Sequence, residues 1–323
     1  MSTRPSALAL AALLLAVLAT PARAQFPSRP VTLVVPFPPG GGTDTGARLI
    51  AQRLAERWGQ PVIIENKPGA AGIVGADVVA KAKPDGYTIL MGNIGTQSIN
   101  PALYAKLPFD PKSAFAPITL VAELPLVLVV NADLAATTLA DLTALAKAKP
   151  GDVTYGSSGN GSSMHLAAAL FENAAGLQLL HVPYKGGGPA LQDVIAGHIK
   201  MAFATILETS GHIKGGKLRP LAVSSDQRSS ALPGVPTVAE SGLAGFNSIS
   251  WIGLLAPAST PREIVDQIAG DVRAILANPE VRDRLVALGA TPAGAGPEAF
   301  ARLIDADRAR YARIVADKGI KAD

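Results

Sequence analysis

Residues 31–59 read VTLVVPFPPGGGTDTGARLIAQRLAERWG. The apolar run at residues 32–35 predicts a buried strand, and the helical spacing of apolar residues over about 44–58 predicts an amphipathic helix. The loop between them is built from prolines and glycines. Glycines let a backbone approach a ligand closely, and the first N–H groups of a helix lack partners within the helix. The stretch therefore predicts a strand–loop–helix unit that can hold an anion.

Phosphate is not the anion that this loop favours. A P-loop needs the pattern G-x-x-x-x-G-K-[ST], and no lysine follows these glycines. The dinucleotide pattern G-x-G-x-x-G is absent both at residues 40–45 and at residues 159–164. A carboxylate is less demanding, because amides and small hydroxyls can satisfy it without a cation.

Three further loops have the same character as PFPPGGGTD (36–44). They are GNIGTQS (92–98), GSSGNGSS (156–163) and VPYKGGGP (182–189). Lys185 is the only basic residue in the four. Each loop alone could be a plain turn with a helix N-cap, at Thr43 or Asp44 in the first loop and at Ser162 or Ser163 in the third. Four such loops after strands favour a shared ligand site.

Short continuous apolar runs predict an α/β fold with a parallel sheet covered on both faces. A βαβαβ unit spans residues 32–91, and a second βα series follows residue 131. Residues 115–131 are predicted to form two strands with a short break, and the remainder after residue 258 is predicted to be helical. We expect two lobes, residues 25–124 plus 248–323 and residues 125–247, with a cleft between them. One continuous domain is the alternative.

Residues 1–24 have the layout of a cleavable secretory signal. Arg4 precedes an unbroken apolar run at residues 7–20, and a small-x-small site, Ala22-Arg23-Ala24, follows it. We expect a soluble exported chain that starts at Gln25, with an N-terminal membrane anchor as the alternative. Cysteine is absent from the sequence, which closes the routes to a lipid anchor, a disulfide or a thiolate metal site. The net charge of +4 comes without a basic block interleaved with aromatics, so no nucleic-acid partner is expected.

No catalytic or metal-binding residue is predicted. The nucleophile pattern G-x-S-x-G fails at residues 156–160, and the four histidines, His165, His181, His198 and His212, lack the spacing of metal ligands. Trp251 is interpreted as a core residue. We therefore expect a protein that is not an enzyme and needs no cofactor, with an exported hydrolase using Ser157 or Ser158 as the remote alternative.

Eight motifs in order along the chain resemble the Bug family, the TctC-like substrate-binding proteins of tripartite tricarboxylate transporters. They are PFPPGGGTD, ENKPGAAG, KPDGYTIL, INPALYAKLPFD, YGSSGNGSSMHLAAALF, VPYKGGGPALQDVIAG, LPGVPTVAESG and WIGLLAPASTP. The resemblance implies a periplasmic, two-lobed binding protein of type II (a Venus flytrap) with a central cleft and two crossing strands. It also implies a monomer that passes its solute to membrane transporter subunits.

The resemblance further implies a small carboxylate ligand held by backbone amides, hydroxyls and ordered water. The candidates for that ligand are a di- or tricarboxylate, an amino acid or an aromatic carboxylate. The family's contacts, carried onto this chain, are Phe37, Pro39, Gly42, Thr43, Asp44, Thr96, Ser157, Asn160, Tyr184, Lys185 and Asp193. A ligand sensor that feeds a signalling receptor is the alternative function.

Overall fold

The computed structural model describes residues 26–318 and residue 320. The predicted secretory signal, and the membrane anchor that is its alternative, lie outside these residues. Within the described part, no helix combines the length and the apolar character needed to cross a bilayer.

The first half of the chain begins with the predicted βαβαβ unit. Three parallel strands alternate with two helices: β1 (Val31–Val35), α1 (Gly42–Trp58), β2 (Val62–Asn66), α2 (Ile73–Ala80) and β3 (Thr88–Asn93). A short π-helical segment, Gly95–Ile99, and the one-turn helix α3 (Asn100–Leu103) follow β3. Because β1 and β3 are parallel neighbours, the loops that follow them leave the same edge of the sheet.

A single strand of 17 residues, β4 (Phe115–Asn131), joins the two halves of the molecule. The predicted break into two strands is wrong. The first part of β4 pairs with β9 (Ile249–Pro257), as far as Pro125 opposite Ile249. From Leu126 onward β4 pairs instead with β7 (Met201–Thr205) and β8 (Leu218–Val223). The strand continues past Pro125 because its hydrogen-bonding partners change there, and a proline is tolerated where no ladder N–H is needed.

The second half contains its own sheet with four further helices. Its strands are the second part of β4 together with β5 (Thr154–Ser157), β6 (Leu180–Pro183), β7 and β8. Its helices are α4 (Leu139–Ala148), α5 (Ser163–Ala175), α6 (Gly187–Ile195) and α7 (Ile206–Lys214). The predicted parallel sheet is present in part, because β5, β6 and β7 are parallel while β4 is antiparallel to its partners.

The C-terminal segment returns to the first half. It contains α8 (Arg262–Ala277), α9 (Pro279–Ala287), β10 (Thr291–Ala295) and α10 (Pro297–Lys318). Strand β10 was not predicted, because the residues TPAGA have little intrinsic strand propensity. The strand forms because the edge of β4 offers it a partner, with Thr291 opposite Glu123.

Each half has a hydrophobic core of its own. The core of the second half includes Leu128, Phe171 and Phe203, all fully buried. The first sheet is covered on one face by α1, α8 and α9 and on the other by α2 and α10. Trp251 is 3% exposed and packs edge-to-face against Phe300, so its interpretation as a core residue is confirmed. The two cores are separate and few strands connect them. Polar loops therefore occupy the space between the halves.

Candidate functional site

A small cavity lies where the loops of the two halves meet. Its volume is about 30 Å³. The residues that line it come from loops and helix starts in both halves and from the connecting strands. They are Phe37, Gly41, Gly42, Thr43, Asn93, Leu124, Ser158, Ser163, Met164, Gly187, Thr205, Glu208 and Ser250. Three of the predicted contacts, Phe37, Gly42 and Thr43, are among them.

The N-terminus of α1 forms one wall of this cavity. The helix begins at Gly42, and its N-cap, Gly41, makes no side-chain capping bond. The alternative that Thr43 or Asp44 caps the helix is therefore wrong, since both lie inside the first turn. A glycine N-cap leaves the N–H groups of the first turn available to a partner from outside the helix.

Asp44 fixes the shape of the first loop. It is 2% exposed, and its carboxylate accepts hydrogen bonds from Gly40 N at 3.0 Å, from Arg48 Nε at 2.8 Å and from Asn66 Nδ2 at 2.9 Å. Burial alone raises the pKa of Asp44, but these hydrogen bonds outweigh burial, and the pKa lies below 3.8. The side chain is outside the cavity lining, so its direct contact with a ligand stays a prediction.

A chain of hydrogen bonds connects Thr43 to Thr96 through Asn93. Asn93 Nδ2 donates to Thr43 Oγ1 at 3.2 Å, and Thr96 N donates to Asn93 Oδ1 at 2.9 Å. Thr96 is buried behind Asn93, which itself lines the cavity. Sequence reasoning missed Asn93. The available signal was its position as the last residue of β3, at the carboxyl end of a strand.

In the third loop, Ser158 lines the cavity and its predicted neighbour Ser157 does not. Ser157 is fully buried, and its Oγ lies 2.6 Å from His181 Nε2. The His181 ring stacks on His165 at a centroid distance of 4.2 Å and on Tyr155 at 4.8 Å. Ser157 and these rings therefore support the loop that presents Ser158 and Ser163 to the cleft.

The other predicted contacts lie outside the cavity lining. Tyr184 Oη donates to Asp193 Oδ2 at 2.5 Å, and burial together with this bond raises the pKa of Tyr184 to about 12. The hydrogen bond from Tyr184 also lowers the pKa of Asp193. Lys185 and Pro39 are exposed. The Asn160 carbonyl accepts from Tyr104 Oη at 3.1 Å, which links the two halves.

Glu208, in the first turn of α7, was not predicted. Its Oε1 accepts from Thr205 N at 3.0 Å, and Glu208 N donates to Thr205 Oγ1 at 3.3 Å, which is a capping box. Its Oε2 accepts from Gly42 N at 2.9 Å, so it reaches the start of α1 in the other half. Burial raises the pKa of Glu208. The T-x-x-E pattern signals the capping box in the sequence, but nothing local signals the contact with α1.

Glycines allow the two halves to approach this closely. A Cβ added at Gly42 would lie 2.4 Å from Thr205 Oγ1, and one added at Gly186 would lie 2.5 Å from Pro38 Cδ. Both separations are far below normal contact distances. Glycine is required at these two positions for the approach of the opposite lobe.

The candidate site consists of polar groups of the protein. Over residues 26–318 and 320, no cluster of His, Cys, Asp or Glu side chains has the arrangement of a metal site. Amides, hydroxyls and one carboxylate line the cavity. Such a set can bind, orient and desolvate a small polar molecule.

Known proteins resemble this chain closely. The model of the tripartite tricarboxylate transporter family receptors matches residues 46–320. BugT of Bordetella pertussis is 36% identical over 297 residues, 92% of this chain and 91% of BugT. The structure of R. palustris Rpa4515 with adipate aligns with a TM-score of 0.90 at 38% identity, over 92% of this chain and 99% of that one. MatC (Rpa3494) from Rhodopseudomonas palustris with bound malate aligns with a TM-score of 0.85 at 34% identity, over 90% and 100%.

The predicted α/β, two-lobed binding-protein fold is confirmed by these alignments. The matching family consists of receptors, so this chain is a substrate-binding protein and not an enzyme, which removes the hydrolase alternative. The match over residues 46–320 and the similarity to BugT confirm the predicted resemblance. The chain belongs to the family of tripartite tricarboxylate transporter receptors.

Proposed function

We propose that this chain is a periplasmic solute-binding protein that captures a small carboxylate between its lobes and delivers it to a tripartite tricarboxylate transporter. The observation that carries the proposal is the meeting of α1 and α5 starts, from opposite halves, at one cavity lined by amides and hydroxyls. The first turns of helices favour anions. Relatives solved with adipate and malate support a carboxylate ligand.

The proposed lobes are residues 25–124 plus 248–323 and residues 125–247. The exchange of β4 partners at Pro125 supports the first boundary. The start of β9 at Ile249 supports the second. The signal-like residues 1–24 support export to the periplasm, where the receptor would act as a monomer on the membrane subunits of its transporter.

The mechanism that we propose is closure of the two lobes around the ligand. The cavity is lined by loops and helix starts of both halves, so separation of the lobes opens the path by which a ligand enters. The ligand then stabilises a closed state because it contacts both lobes at once. Gly42 and Thr43 on one side and Ser158 and Ser163 on the other are the proposed direct contacts. The remaining predicted residues are proposed to contact the ligand directly or through water.

Isothermal titration calorimetry tests this proposal. The chain expressed from residue 25 is unfolded and refolded first, because a purified receptor can retain its ligand. It is then titrated with mono-, di- and tricarboxylates, amino acids and nicotinate. We expect at least one carboxylate to bind and its uncharged amide analogue to bind far more weakly. Absence of binding by every carboxylate would contradict the proposal.

A second experiment addresses the transporter. Uptake of the radiolabelled ligand is compared between cells with and without the membrane subunits of a tripartite tricarboxylate transporter. We expect uptake to need both the receptor and the membrane subunits. Uptake that persists without the membrane subunits would contradict delivery to such a transporter, while leaving ligand binding intact.

A further inference from the structure

The charge of the cavity lining does not suit a ligand that is anionic at both ends. Of the described residues that line the cavity, Glu208 alone is ionisable, and neither a lysine, an arginine nor a histidine joins it. Arg48, which follows the first loop in α1, is bound to the Asp44 carboxylate at 2.8 Å. Burial raises the pKa of Glu208; a second carboxylate beside it would raise that pKa further, whereas an ammonium group would favour the ionised carboxylate.

Glu208 also occupies a donor that a ligand carboxylate would otherwise use. Its Oε2 accepts from Gly42 N, a first-turn N–H of α1. The carboxylate of the second lobe thus already neutralises this part of the helix start. A ligand carboxylate is left with the remaining amides and with the hydroxyls of Thr43, Ser158 and Ser163.

Glu208 retains capacity to accept further hydrogen bonds. A carboxylate has about four lone-pair sites. Two of them are used by Gly42 N and Thr205 N, at 2.9 and 3.0 Å. The side chain lies in the cavity wall, so a hydrogen-bond donor on a bound molecule can use the remaining acceptor sites of its carboxylate.

We infer that Glu208 is a specificity-determining residue, and that it selects carboxylates that also carry an ammonium group, the class of amino acid-like zwitterions, over dicarboxylates without one. The ammonium donates to Glu208, and the ligand carboxylate is held by the amides and hydroxyls of the two helix starts. This inference rests on the proposed function and narrows its ligand class. It also separates this receptor from the relatives solved with adipate and malate.

The test uses ligand pairs that differ by one amino group. Refolded wild-type protein and Glu208→Gln are titrated calorimetrically with succinate and aspartate, glutarate and glutamate, and adipate and 2-aminoadipate. For the pair of fitting length, we expect wild-type protein to bind the aminated member at least tenfold more tightly than its partner. In Glu208→Gln this preference should fall at least tenfold, while the unaminated member binds as well as before or better.

Glu240→Gln is the matched control. Glu240 accepts from Thr237 N at 2.7 Å, and Glu240 N donates to Thr237 Oγ1 at 2.9 Å, which is the same reciprocal arrangement outside the cavity lining. This variant should keep the wild-type preference. Circular dichroism and thermal unfolding of all three proteins check that each is folded.

The outcomes separate the two proposals. If wild-type protein binds carboxylates but prefers the unaminated members, or if the preference is unchanged in folded Glu208→Gln, the inference about Glu208 is wrong and carboxylate binding stands. If neither protein binds any carboxylate, the proposed function is wrong, and the inference that rests on it is wrong too.

Discussion

At the scale of single residues, the first loop keeps its shape through a buried carboxylate. Asp44 accepts from Gly40 N inside its own loop and from Asn66 at the end of β2. The Arg48 guanidinium approaches the same carboxylate with two nitrogens. Bidentate arginine–carboxylate pairs are among the stronger and more directional hydrogen bonds. The loop is therefore held in place before any ligand binds.

Replacement of Asp44 by asparagine should lower stability in a pH-dependent way. Removing the charge that Arg48 binds should lower the free energy of unfolding by about 1–3 kcal/mol at neutral pH. The pKa of Asp44 is lowered from 3.8 in the folded protein. Its contribution is therefore present above the unfolded value and is lost as pH falls through the lowered folded value. Urea unfolding at several pH values should show the two proteins converging in acid.

Asp283→Asn is the control for this experiment. Asp283 lies on the surface beside Arg282, and exposed ion pairs contribute at most about 1 kcal/mol. If the loss of free energy of unfolding in Asp44→Asn stays constant across the acid range, the charge of Asp44 is not its cause.

Thr43 should contribute to affinity and little to stability. Its Oγ1 accepts from Asn93, which leaves the hydroxyl hydrogen available to a ligand carboxylate. Thr43→Val removes that donor and should weaken binding of the best carboxylate by about 1–3 kcal/mol. Calorimetry measures the change, with Thr143→Val as the control because the Thr143 hydroxyl bonds to Leu139 O in α4, outside the cavity lining. Equal affinity of Thr43→Val and wild-type protein would exclude a ligand contact at Thr43.

At the scale of elements, the start of α1 and the first turn of α7 contact each other across the cleft. Gly42 N donates to Glu208, and the space that a side chain at Gly42 would need is filled by Thr205. Two helix starts thus share one carboxylate. The contact depends on a glycine because a methyl group would hold the two elements apart.

Gly42→Ala should separate closure of the cleft from stability of the fold. Alanine favours a helix over glycine by up to about 1 kcal/mol, so the free energy of unfolding should stay the same or rise by up to this amount. Ligand affinity should fall at least tenfold, because the added Cβ would lie 2.4 Å from Thr205 Oγ1 when the lobes are closed. Urea unfolding and calorimetry measure the two quantities.

Gly270→Ala is the matched control, since Gly270 lies in α8 with no atom within 4 Å of an added Cβ. It should leave affinity unchanged. Wild-type affinity in Gly42→Ala would mean that the ligand-bound state does not need this close approach.

At the scale of the whole molecule, two cores are connected through β4, which takes its partners from both sheets. The β4–β9 pairing belongs to the first sheet and the β4–β7 pairing to the second. A connection of this kind allows the lobes to rotate while each core stays intact. Ligand binding should then be coupled to the relative position of the lobes.

The ligand should make the molecule both more compact and more stable. At a ligand concentration of 100 times Kd, mass action adds about 2.7 kcal/mol, which for a chain of this size raises Tm by roughly 5 °C. Small-angle X-ray scattering should show a smaller radius of gyration with ligand, and a smaller decrease for Gly42→Ala. A rise in Tm without any compaction would mean that the lobes do not close on the ligand.

The sequence by itself determined the order of most strands and helices, the four glycine-rich loops and the family. These depend on local properties. Apolar periodicity sets strands and helices, and glycines with short polar residues set the loops that follow strands. Three of the predicted contacts, Phe37, Gly42 and Thr43, lie in the cavity wall. The sequence could indicate them because the position of a loop at the carboxyl end of a strand is fixed by its neighbours in sequence.

Only the tertiary structure decided which side chains face each other across the cleft. The single strand β4, the edge strand β10 and the contact of Glu208 with Gly42 all depend on partners more than 70 residues away in sequence. A strand has the same residues whether it pairs with one sheet or two, and a capping glutamate has the same pattern whether it faces solvent or another helix. Long-range packing sets those directions, because it fixes where two distant segments come into contact.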